Sequence, residues 1–307
     1  MNDKRVFQVP RDQQVRDEAE LKVWQGSAAY RKLISFLERT STAIRGMPVS
    51  SAPAPSPQVS RLLALLGRVE SLLESHPPLE QPQRFGNRAF RDLHAALSES
   101  AVAWLSEALP EEQSAAAVEL APYLAGSFGN PTRLDYGTGH ETAFVVLLLC
   151  FEELGLLGAP GDLVCVPLRL FDRYVRLCRA IQRRYSLEPA GSHGVWSLDD
   201  YQFLCFLWGS SQLIGHPTLG PTSVLDKNVV KREAGEYLYM AGIEYILATK
   251  AGPFFEHSPT LHNITGVVHW EKINAGMFKM YAGEVLSKVP IVQHFLFGSL
   301  FPSPTQK

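Results

Sequence analysis

The sequence predicts an all-α protein. Apolar residues recur three and four positions apart over most of the 307 residues, which is the spacing of one face of a helix. The alternation at every second position that marks a half-buried strand is almost absent. A composition of 46% hydrophobic and 20% charged residues is ordinary for a folded globular chain. At about 150 residues per domain, this length allows two domains or one large one.

The N-terminal part is predicted to hold one capped helix between two irregular segments. Residues 1–16 are polar and charged, and we expect a flexible segment there. Ser27 is a suitable N-cap, because the residues after it form an amphipathic stripe. The stretch from about 47 to 58 mixes four prolines with serine and alanine, so we expect a mobile linker. The helical domain is expected to span 17–307, with this linker inside it.

Three helices are predicted next. The first covers 59–73, and a proline-rich turn near 77–82 separates it from the second, which carries apolar residues from 90 to 104. Pro110 opens the third, where two glutamates in the first turn suit the positive end of the helix dipole. A polar, glycine-rich loop over 126–139 then interrupts the pattern.

The C-terminal half is predicted to contain longer helices. Residues 142–157 are apolar nearly all round, which predicts a buried helix. The helix over 168–185 has five arginines opposite its apolar face. These arginines form either a solvated face or a docking patch for an acidic partner. A capped helix is expected to begin near Asp199, and two more are expected over 229–250 and 270–288.

Charge and cysteine usage exclude several classes of protein. Lys and Arg number 29 against 31 Asp and Glu, a net charge of −2, which argues against nucleic-acid binding. The most apolar stretch, 142–151, is much shorter than the about 20 residues that span a bilayer, so no membrane partner is expected. The four cysteines lack CxxC spacing and lie in apolar runs, which indicates reduced core thiols. We expect a protein of the cytoplasm and nucleus.

Polar residues and glycines are concentrated in three loops, 127–141, 188–201 and 208–217. Ordering a glycine-rich loop costs backbone entropy that packing alone does not require, so such loops are often functional. Common motifs do not explain them. The Gly-Thr-Gly at 137–139 lacks the preceding strand and third glycine of a dinucleotide site, and no P-loop is present. His140 lacks the second histidine of a zinc-protease helix.

The residues themselves favour a site for phosphate and metal. Residues 137–139 precede a helix, so their N–H groups can meet an anion, and Arg133 can clamp the same phosphates. Of the adjacent Asp199 and Asp200, one would hold Mg²⁺ while the other caps the helix. The alternative is that these aspartates and Asp135 only cap helices and form turns. His294 is either a site residue or a buried structural histidine.

Six segments of the chain resemble a known family. They lie at 84–91, 133–141, 187–196, 208–212, 252–258 and 280–295. The second of them reads Arg-Leu-Asp-Tyr-Gly-Thr-Gly-His-Glu. The segments occur in the same order in the phosphotyrosyl phosphatase activators, also called activators of serine/threonine protein phosphatase 2A. The sequence resembles this family from about residue 60 to about residue 301.

The resemblance implies one all-α domain with core, lid and linker subregions around a deep cleft. It also implies peptidyl-prolyl cis/trans isomerase activity on a proline-containing peptide. A further implication is activation of the catalytic subunit of protein phosphatase 2A, alone or with its scaffold subunit, with ATP and Mg²⁺ as cofactors. By position, the nucleotide contacts of the family fall on Arg133, Thr138, Gly139, Pro290, Gln293 and His294. The magnesium contacts fall on the Gly194 carbonyl and on Asp200.

Isomerisation of this kind requires no nucleophile. Rotation about a peptide bond faces a barrier of about 18–20 kcal/mol. Lowering it requires a dry groove that binds the twisted amide better than either planar isomer, with a donor near the prolyl nitrogen. The candidate groove residues are Tyr136, Trp196, Tyr201 and Trp208. Asp135, which would orient the loop or polarise the amide, is the position that we expect to be most sensitive.

Two other functions remain open. The first is a chaperone-like binding module that remodels the active-site metals of the phosphatase, with isomerisation incidental. A weaker alternative is a metal-dependent hydrolase that uses Asp135, His140, Asp199 and Asp200. The isomerase and chaperone interpretations require the Gly137 turn, the Trp196 segment and His294 to be walls of one cavity.

Overall fold

The computed structural model describes residues 6–12, 14–81, 85–191 and 197–305, and confirms the all-α prediction. Within these ranges the helices are α1 (Glu18–Gln25), α2 (Ala28–Ala43), α3 (Pro57–Ser75), α4 (Ala89–Ala108), α5 (Ala117–Gly126), α6 (Thr138–Glu153), α7 (Asp162–Cys165), α8 (Asp172–Tyr185), α9 (Leu204–Gln212), α10 (Lys227–Glu233), α11 (Leu238–Thr249), α12 (Phe254–His257), α13 (Pro259–Ile264), α14 (Trp270–Glu284) and α15 (Val289–Val292). None of these helices is long and apolar enough to cross a bilayer.

Shorter elements connect the helices. Turns of 3₁₀ helix cover Val49–Ser51, Glu111–Ala116 and Pro221–Leu225, and a π-helical turn over Val166–Phe171 joins α7 to α8. Two short strands, β1 (Asp135–Tyr136) and β2 (Glu188–Pro189), pair in parallel.

Side-chain caps explain where the first helices begin. The Ser27 hydroxyl accepts a hydrogen bond from the Tyr30 N–H at 3.1 Å, which confirms the predicted start of α2. Ser56 does the same for the Val59 N–H at 3.3 Å, at the start of α3. Each cap satisfies an N–H group that has no acceptor within its own helix.

The proline-rich segment over 47–58 contacts the helical core. Arg169 donates from Nε to the Pro53 carbonyl at 2.7 Å and from Nη2 to the Ala52 carbonyl at 2.8 Å. The segment therefore has a fixed attachment to the π-helical turn before α8. The mobility predicted for it, like that of residues 1–16, stays a prediction.

The arginines of α8 do not share one environment. Arg173 and Arg176 form surface ion pairs with carboxylates, as a solvated face would. Arg179 is only 7% exposed; its Nε lies 3.0 Å from the Gln202 amide oxygen, and its guanidinium lies 5.0 Å from the centre of the Tyr245 ring. The solvated-face interpretation is therefore wrong for Arg179, which lies between α8, the segment before α9 and α11.

Helix α6 lies in the centre of the core. From Glu141 to Phe151 every residue except Ala143 is buried, which confirms the predicted buried helix. One side of α6 packs against α5 and α2, and α15 lies near its beginning. Elsewhere in the core, α9 packs against α11 and α14. These contacts bury the apolar faces in one continuous core, which is the main favourable contribution to folding.

The two strands join the first two polar loops. The Glu188 N–H donates to the Leu134 carbonyl at 3.0 Å, and the Ala190 N–H donates to the Tyr136 carbonyl at 2.8 Å. A Cβ atom on Gly137 would lie 2.8 Å from the Ala190 carbonyl oxygen, so this close approach requires glycine. The ladder was not predicted, because two residues are too few to show a strand pattern.

Helix α9 is capped from another helix. The Asp199 carboxylate accepts from the Gln202 N–H at 3.0 Å, but this forms a turn, and the helix expected near Asp199 begins only at Leu204. Glu141 of α6 provides the cap, since its Oε2 accepts from the N–H groups of Phe203 at 2.8 Å and Leu204 at 3.0 Å. This carboxyl group therefore ties α6 to the beginning of α9.

Replacing Glu141 with glutamine should remove a pH dependence of stability. Burial raises the pKa of Glu141 from 4.5 to about 8. The folded protein therefore keeps a proton that the unfolded chain has lost, and stability falls as the pH rises from about 4.5 to about 8. A difference of this size corresponds to on the order of 5 kcal/mol. In urea unfolding at pH 5 and pH 8.5, we expect Glu141→Gln to gain several kcal/mol relative to wild type at the higher pH. Parallel pH profiles would contradict this.

Replacing Gly209 with alanine should destabilise the α9–α11 contact. A Cβ atom there would lie 2.7 Å from the Cα atom of Tyr239 and would also collide with its backbone nitrogen. Overpacking against backbone typically costs about 1–3 kcal/mol and sometimes more. We expect a loss of about 3 kcal/mol in the free energy of unfolding, measured in urea.

Gly276 on α14 is the matched control for this substitution. No heavy atom lies within 4 Å of a Cβ built there. Because alanine favours helix over glycine, Gly276→Ala should be neutral or should stabilise the protein by up to about 1 kcal/mol. Equal effects of the two substitutions would show that packing against Tyr239 is not what requires glycine at 209.

Candidate functional site

One cleft, with a volume of about 460 Å³, brings together three stretches that are far apart in the chain. Its walls come from residues 126–146, from Ala190 and Gly191, and from residues 288–301. Asp135 and Gly139, on either side of the Gly137 turn, thus line the same cavity as His294. Trp196, which was predicted on the same wall, lies outside the described residues, although Ala190 and Gly191 belong to its loop.

The loop before β1 is folded around Asn130. The side-chain oxygen of Asn130 accepts from the N–H groups of Thr132 and Arg133, both at 2.9 Å, and its backbone N–H donates to the Asp135 carbonyl at 2.9 Å. Leu134 takes a left-handed conformation with a φ of +56°. Asparagine commonly stabilises such turns through its side chain. The turn places Arg133 and Asp135 together at the cleft.

Asp135 is an ionised carboxylate at the cleft and is only 7% exposed. Its Oδ2 accepts from Arg133 Nε at 2.6 Å. Burial alone would raise the pKa of Asp135, but His140 and Arg133 stabilise the charged form more strongly, so the pKa is lowered. Its other oxygen, Oδ1, is buried and has no hydrogen-bond partner among the described residues. Such an atom is rare, because buried polar atoms are nearly always paired.

His140 lies on the first turn of α6, beside Asp135. Its Nδ1 is 2.6 Å from the Gly126 carbonyl, and its Nε2 is 3.8 Å from Asp135 Oδ1. The ring lines the cleft together with the carboxylate. Sequence analysis named His140 only as a hydrolase candidate and did not predict this pairing.

Two positive side chains, Arg133 and Lys288, line the cleft, and the Arg133 side chain is 43% exposed. His294 lines it too. Partial burial, together with the neighbouring Arg133 and His140, lowers the pKa of His294. Helix α6 begins here with no side-chain cap on its N–H groups. Cationic side chains next to a helix N-terminus favour an anionic ligand.

Most of the predicted nucleotide contacts lie at this cleft. Arg133, Gly139, Pro290 and His294 line it. Thr138, the first residue of α6, precedes Gly139, and Gln293 precedes His294. Neither Thr138 nor Gln293 lines the cleft. The amide of Gln293 donates to the Pro290 carbonyl at 3.3 Å.

The predicted aromatic groove is wrong for Tyr136 and Trp208, which are buried in the core with 1% and 0% exposure. The Tyr136 hydroxyl lies 2.9 Å from that of Tyr174. The Trp208 ring nitrogen donates to the Thr40 hydroxyl at 3.1 Å. Both polar tips are thus satisfied inside the core, as buried tyrosine and tryptophan require. Neither ring is available to hold a peptide.

The predicted magnesium site stays a prediction, because one of its two ligands lies outside the described residues. Asp200 forms an ion pair with Lys250 at 2.8 Å and does not line the cleft, and Gly194 lies outside the described residues. Within the described ranges, no three His, Cys, Asp or Glu side chains form a metal-binding group. The proposed hydrolase site is not assembled either, because Asp199 and Asp200 do not line the cleft that holds Asp135 and His140.

Sequence analysis missed several residues of the cleft. Asp12 lines it because Arg11 and Phe297 exchange two backbone hydrogen bonds of 2.9 Å. Lys288 and His94 also line it. The Asn-Pro turn at Asn130 was a usable signal, whereas nothing in the local sequence pairs Arg11 with Phe297.

Comparison with known proteins agrees with this architecture. The family model described as "Phosphotyrosyl phosphate activator (PTPA) protein" matches residues 11–303. A serine/threonine-protein phosphatase 2A activator of Drosophila melanogaster is 44% identical over 286 residues, which cover 93% of this chain and 72% of the relative. A probable activator 1 of the same phosphatase from Dictyostelium discoideum is 45% identical over 287 residues, which cover 93% and 88%.

A solved structure extends the similarity to the fold. The crystal structure of the PP2A phosphatase activator Ypa1 PTPA1 superposes with a TM-score of 0.92 at 37% sequence identity, covering 98% of this chain and 97% of that one. The cleft residues Arg133, Gly139 and His294 all lie within the span matched by the family model. This chain therefore belongs to the phosphotyrosyl phosphate activator (PTPA) family.

Proposed function

We propose that this protein activates protein phosphatase 2A and binds ATP in the cleft while doing so. The names of the similar proteins support the first part. The observation that carries the second is the cleft itself, where Arg133, Lys288 and the uncapped beginning of α6 surround one opening. Its volume of about 460 Å³ is in the usual range for a small-molecule site.

The cleft offers both surfaces that a nucleotide requires. Val146, Ile291 and Phe301 give it apolar walls for a base. Arg133 and Lys288 would hold phosphate oxygens, and a guanidinium can bind two of them at once. The N–H groups at the beginning of α6 would add backbone donors.

Magnesium would enter this site with the nucleotide. Mg²⁺ usually keeps several waters and binds through substrate phosphates plus one or two carboxylates. When bound it neutralises phosphate charge. Asp135 lines the cleft and Asp200 does not, so Asp135 is the better-placed carboxylate among the described residues.

We also propose the peptidyl-prolyl cis/trans isomerase activity. Arg133 is a donor able to bond to the prolyl nitrogen of a twisted amide, and Asp135 orients it through the 2.6 Å hydrogen bond. Asp135 therefore acts as a positioning residue for that donor. The apolar walls of the groove must come from residues other than Tyr136 and Trp208, since both are buried.

The second candidate is a chaperone-like module that remodels the active-site metals of the phosphatase. The burial of Tyr136 and Trp208 favours it, because two of the expected aromatic walls are missing from the cleft. In this case the isolated chain would bind ATP but hydrolyse little of it. Measuring ATP turnover with and without the phosphatase separates the cases, since fast turnover by the isolated chain would contradict the chaperone function.

Replacing Arg133 with alanine should weaken nucleotide binding. Charge-assisted hydrogen bonds contribute about 1.5–3 kcal/mol each, so we expect a loss of tenfold or more in affinity for ATP with Mg²⁺. Calorimetry should be done with and without the phosphatase catalytic subunit. Arg173→Ala is the matched control, because that arginine pairs with Glu70 away from the cleft. Equal affinities of both variants and wild type would contradict the proposed nucleotide site.

Replacing Asp135 with alanine should reduce isomerase activity and phosphatase activation together. Without its carboxylate, the Arg133 side chain loses the hydrogen bond that orients it. We expect at least a tenfold lower rate of cis/trans exchange in an X-Pro peptide, measured by NMR. Thermal unfolding checks that the variant is folded. Full activity of a folded Asp135→Ala protein would refute this role.

A further inference from the structure

Asp12 gives the cleft a second carboxylate. Among the described residues, only Asp12 and Asp135 bring acidic side chains to its lining. Asp135 is bound to Arg133 and lies beside His140, so its charge is offset by direct contacts. Asp12 is exposed, and its side chain forms no ion pair with another described residue. In contrast to the charge of Asp135, that of Asp12 is therefore not neutralised by a contact.

A short backbone ladder fixes Asp12 against the C-terminal wall of the cleft. The Arg11 N–H donates to the Phe297 carbonyl at 2.9 Å, and the Phe297 N–H donates back to the Arg11 carbonyl at 2.9 Å. Phe297 is buried, and the two residues before it, Phe295 and Leu296, line the cleft. Side chains alternate along an extended chain, and accordingly Asp12 lines the cleft while Arg11 does not. The ladder therefore presents a carboxylate, and not a guanidinium, to the cleft.

The charge of Asp12 acts on the space where a ligand would lie. His294 shows this, because it lines the same cleft. Partial burial, followed by Arg133 and His140, lowers the pKa of His294, whereas Asp12 and then Asp135 act in the opposite direction. Since Arg133 and Asp12 both act on this one ring, a phosphate group bound by Arg133 would also lie in the field of the Asp12 carboxylate.

We propose that Asp12 makes the cleft select a phosphate chain that carries a divalent cation over the same chain without one. A carboxylate repels bare phosphates. Mg²⁺ neutralises part of the phosphate charge, and the waters that it keeps donate hydrogen bonds that a carboxylate can accept. By themselves, Arg133 and Lys288 would favour the more negative, metal-free form, so they do not provide this preference.

This inference rests on the proposed nucleotide site and adds the residue that discriminates between two forms of the nucleotide. The two cations supply affinity for phosphate, and Asp12 supplies the selectivity. Its position on the Arg11–Phe297 ladder places that selectivity in a segment that precedes all the helices of the fold.

Replacing Asp12 with asparagine removes the charge and keeps the size of the side chain. Calorimetry with Mg²⁺-ATP, and with ATP in the presence of EDTA, gives the ratio of the two affinities. We expect the preference for Mg²⁺-ATP to fall about fivefold or more in Asp12→Asn, mainly because metal-free ATP binds more tightly. An unchanged ratio, or weaker binding of metal-free ATP, would overturn the proposal.

Asp92→Asn is the matched control for this experiment. Asp92 is an exposed aspartate on α4 that does not line the cleft. The substitution makes the same change in net charge, so the ratio of affinities should stay at the wild-type value. An equal change of the ratio in both variants would show that net charge, and not the position of Asp12, provides the selectivity.

Ionic strength separates an electrostatic role of Asp12 from a structural one. Salt screens the interaction between an exposed carboxylate and a phosphate, since the screening length falls from about 30 Å at 0.01 M to about 3 Å at 1 M. The difference in ratio between wild type and Asp12→Asn should therefore shrink when KCl is raised from about 20 mM to about 500 mM. A difference that does not depend on salt would contradict the proposal.

The field of Asp12 is also measurable without any nucleotide. Because Asp12 raises the pKa of His294, Asp12→Asn should lower that pKa in an NMR titration of the free protein, and Asp92→Asn should not. An unchanged pKa of His294 would overturn the proposal. Failure of the wild-type protein to bind either form of ATP, with or without the phosphatase, would instead contradict the proposed function. The two failures are therefore distinguishable.

Discussion

The cleft depends on the parallel pairing of two short backbone segments. Hydrogen bonds from Glu188 to Leu134 and from Ala190 to Tyr136 bring two distant polar loops into contact. The close approach of the Ala190 carbonyl to Gly137 leaves no room for a side chain. Helix α6 begins directly after this contact, so its first turn is held against the second loop. The pairing therefore holds Ala190 and Gly191 in place as one wall of the cleft.

Two buried glutamates hold the elements around this contact. Glu141 bonds to the first N–H groups of α9. Glu119 accepts from the Ser299 hydroxyl and the Leu300 N–H, both at 2.6 Å, and thereby holds the segment that carries Phe301 to the cleft. Burying a carboxyl group is costly unless hydrogen bonds compensate. Here most of the compensating donors are backbone N–H groups. The two glutamate side chains therefore provide acceptors for backbone groups that no helix or sheet bond satisfies.

The charges of the cleft are similarly interdependent. Asp135 stays ionised although it is buried, because Arg133 and His140 lie beside it. Partial burial, followed by the neighbouring Arg133 and His140, lowers the pKa of His294. The second carboxylate oxygen, Oδ1, is buried and lies 3.8 Å from His140 Nε2. The cleft therefore offers Arg133 and Lys288 to an anionic group, while Asp135 holds Arg133 in place.

Local properties of the sequence determined the helices, because apolar spacing and caps such as Ser27 act within a few residues along the chain. Similarity to family motifs, and not local chemistry, predicted that Arg133, Gly139 and His294 would meet in one cleft. Only the tertiary structure decided where Tyr136 and Trp208 point, since the local sequence is the same whether an aromatic ring faces core or cleft. Residues 208–212 of the predicted third loop belong to helix α9, which carries Trp208 into the core. It also decided that Asp200 pairs with Lys250, and that Glu141 caps α9. Those partners are distant in sequence, and only folding brings them within hydrogen-bond distance.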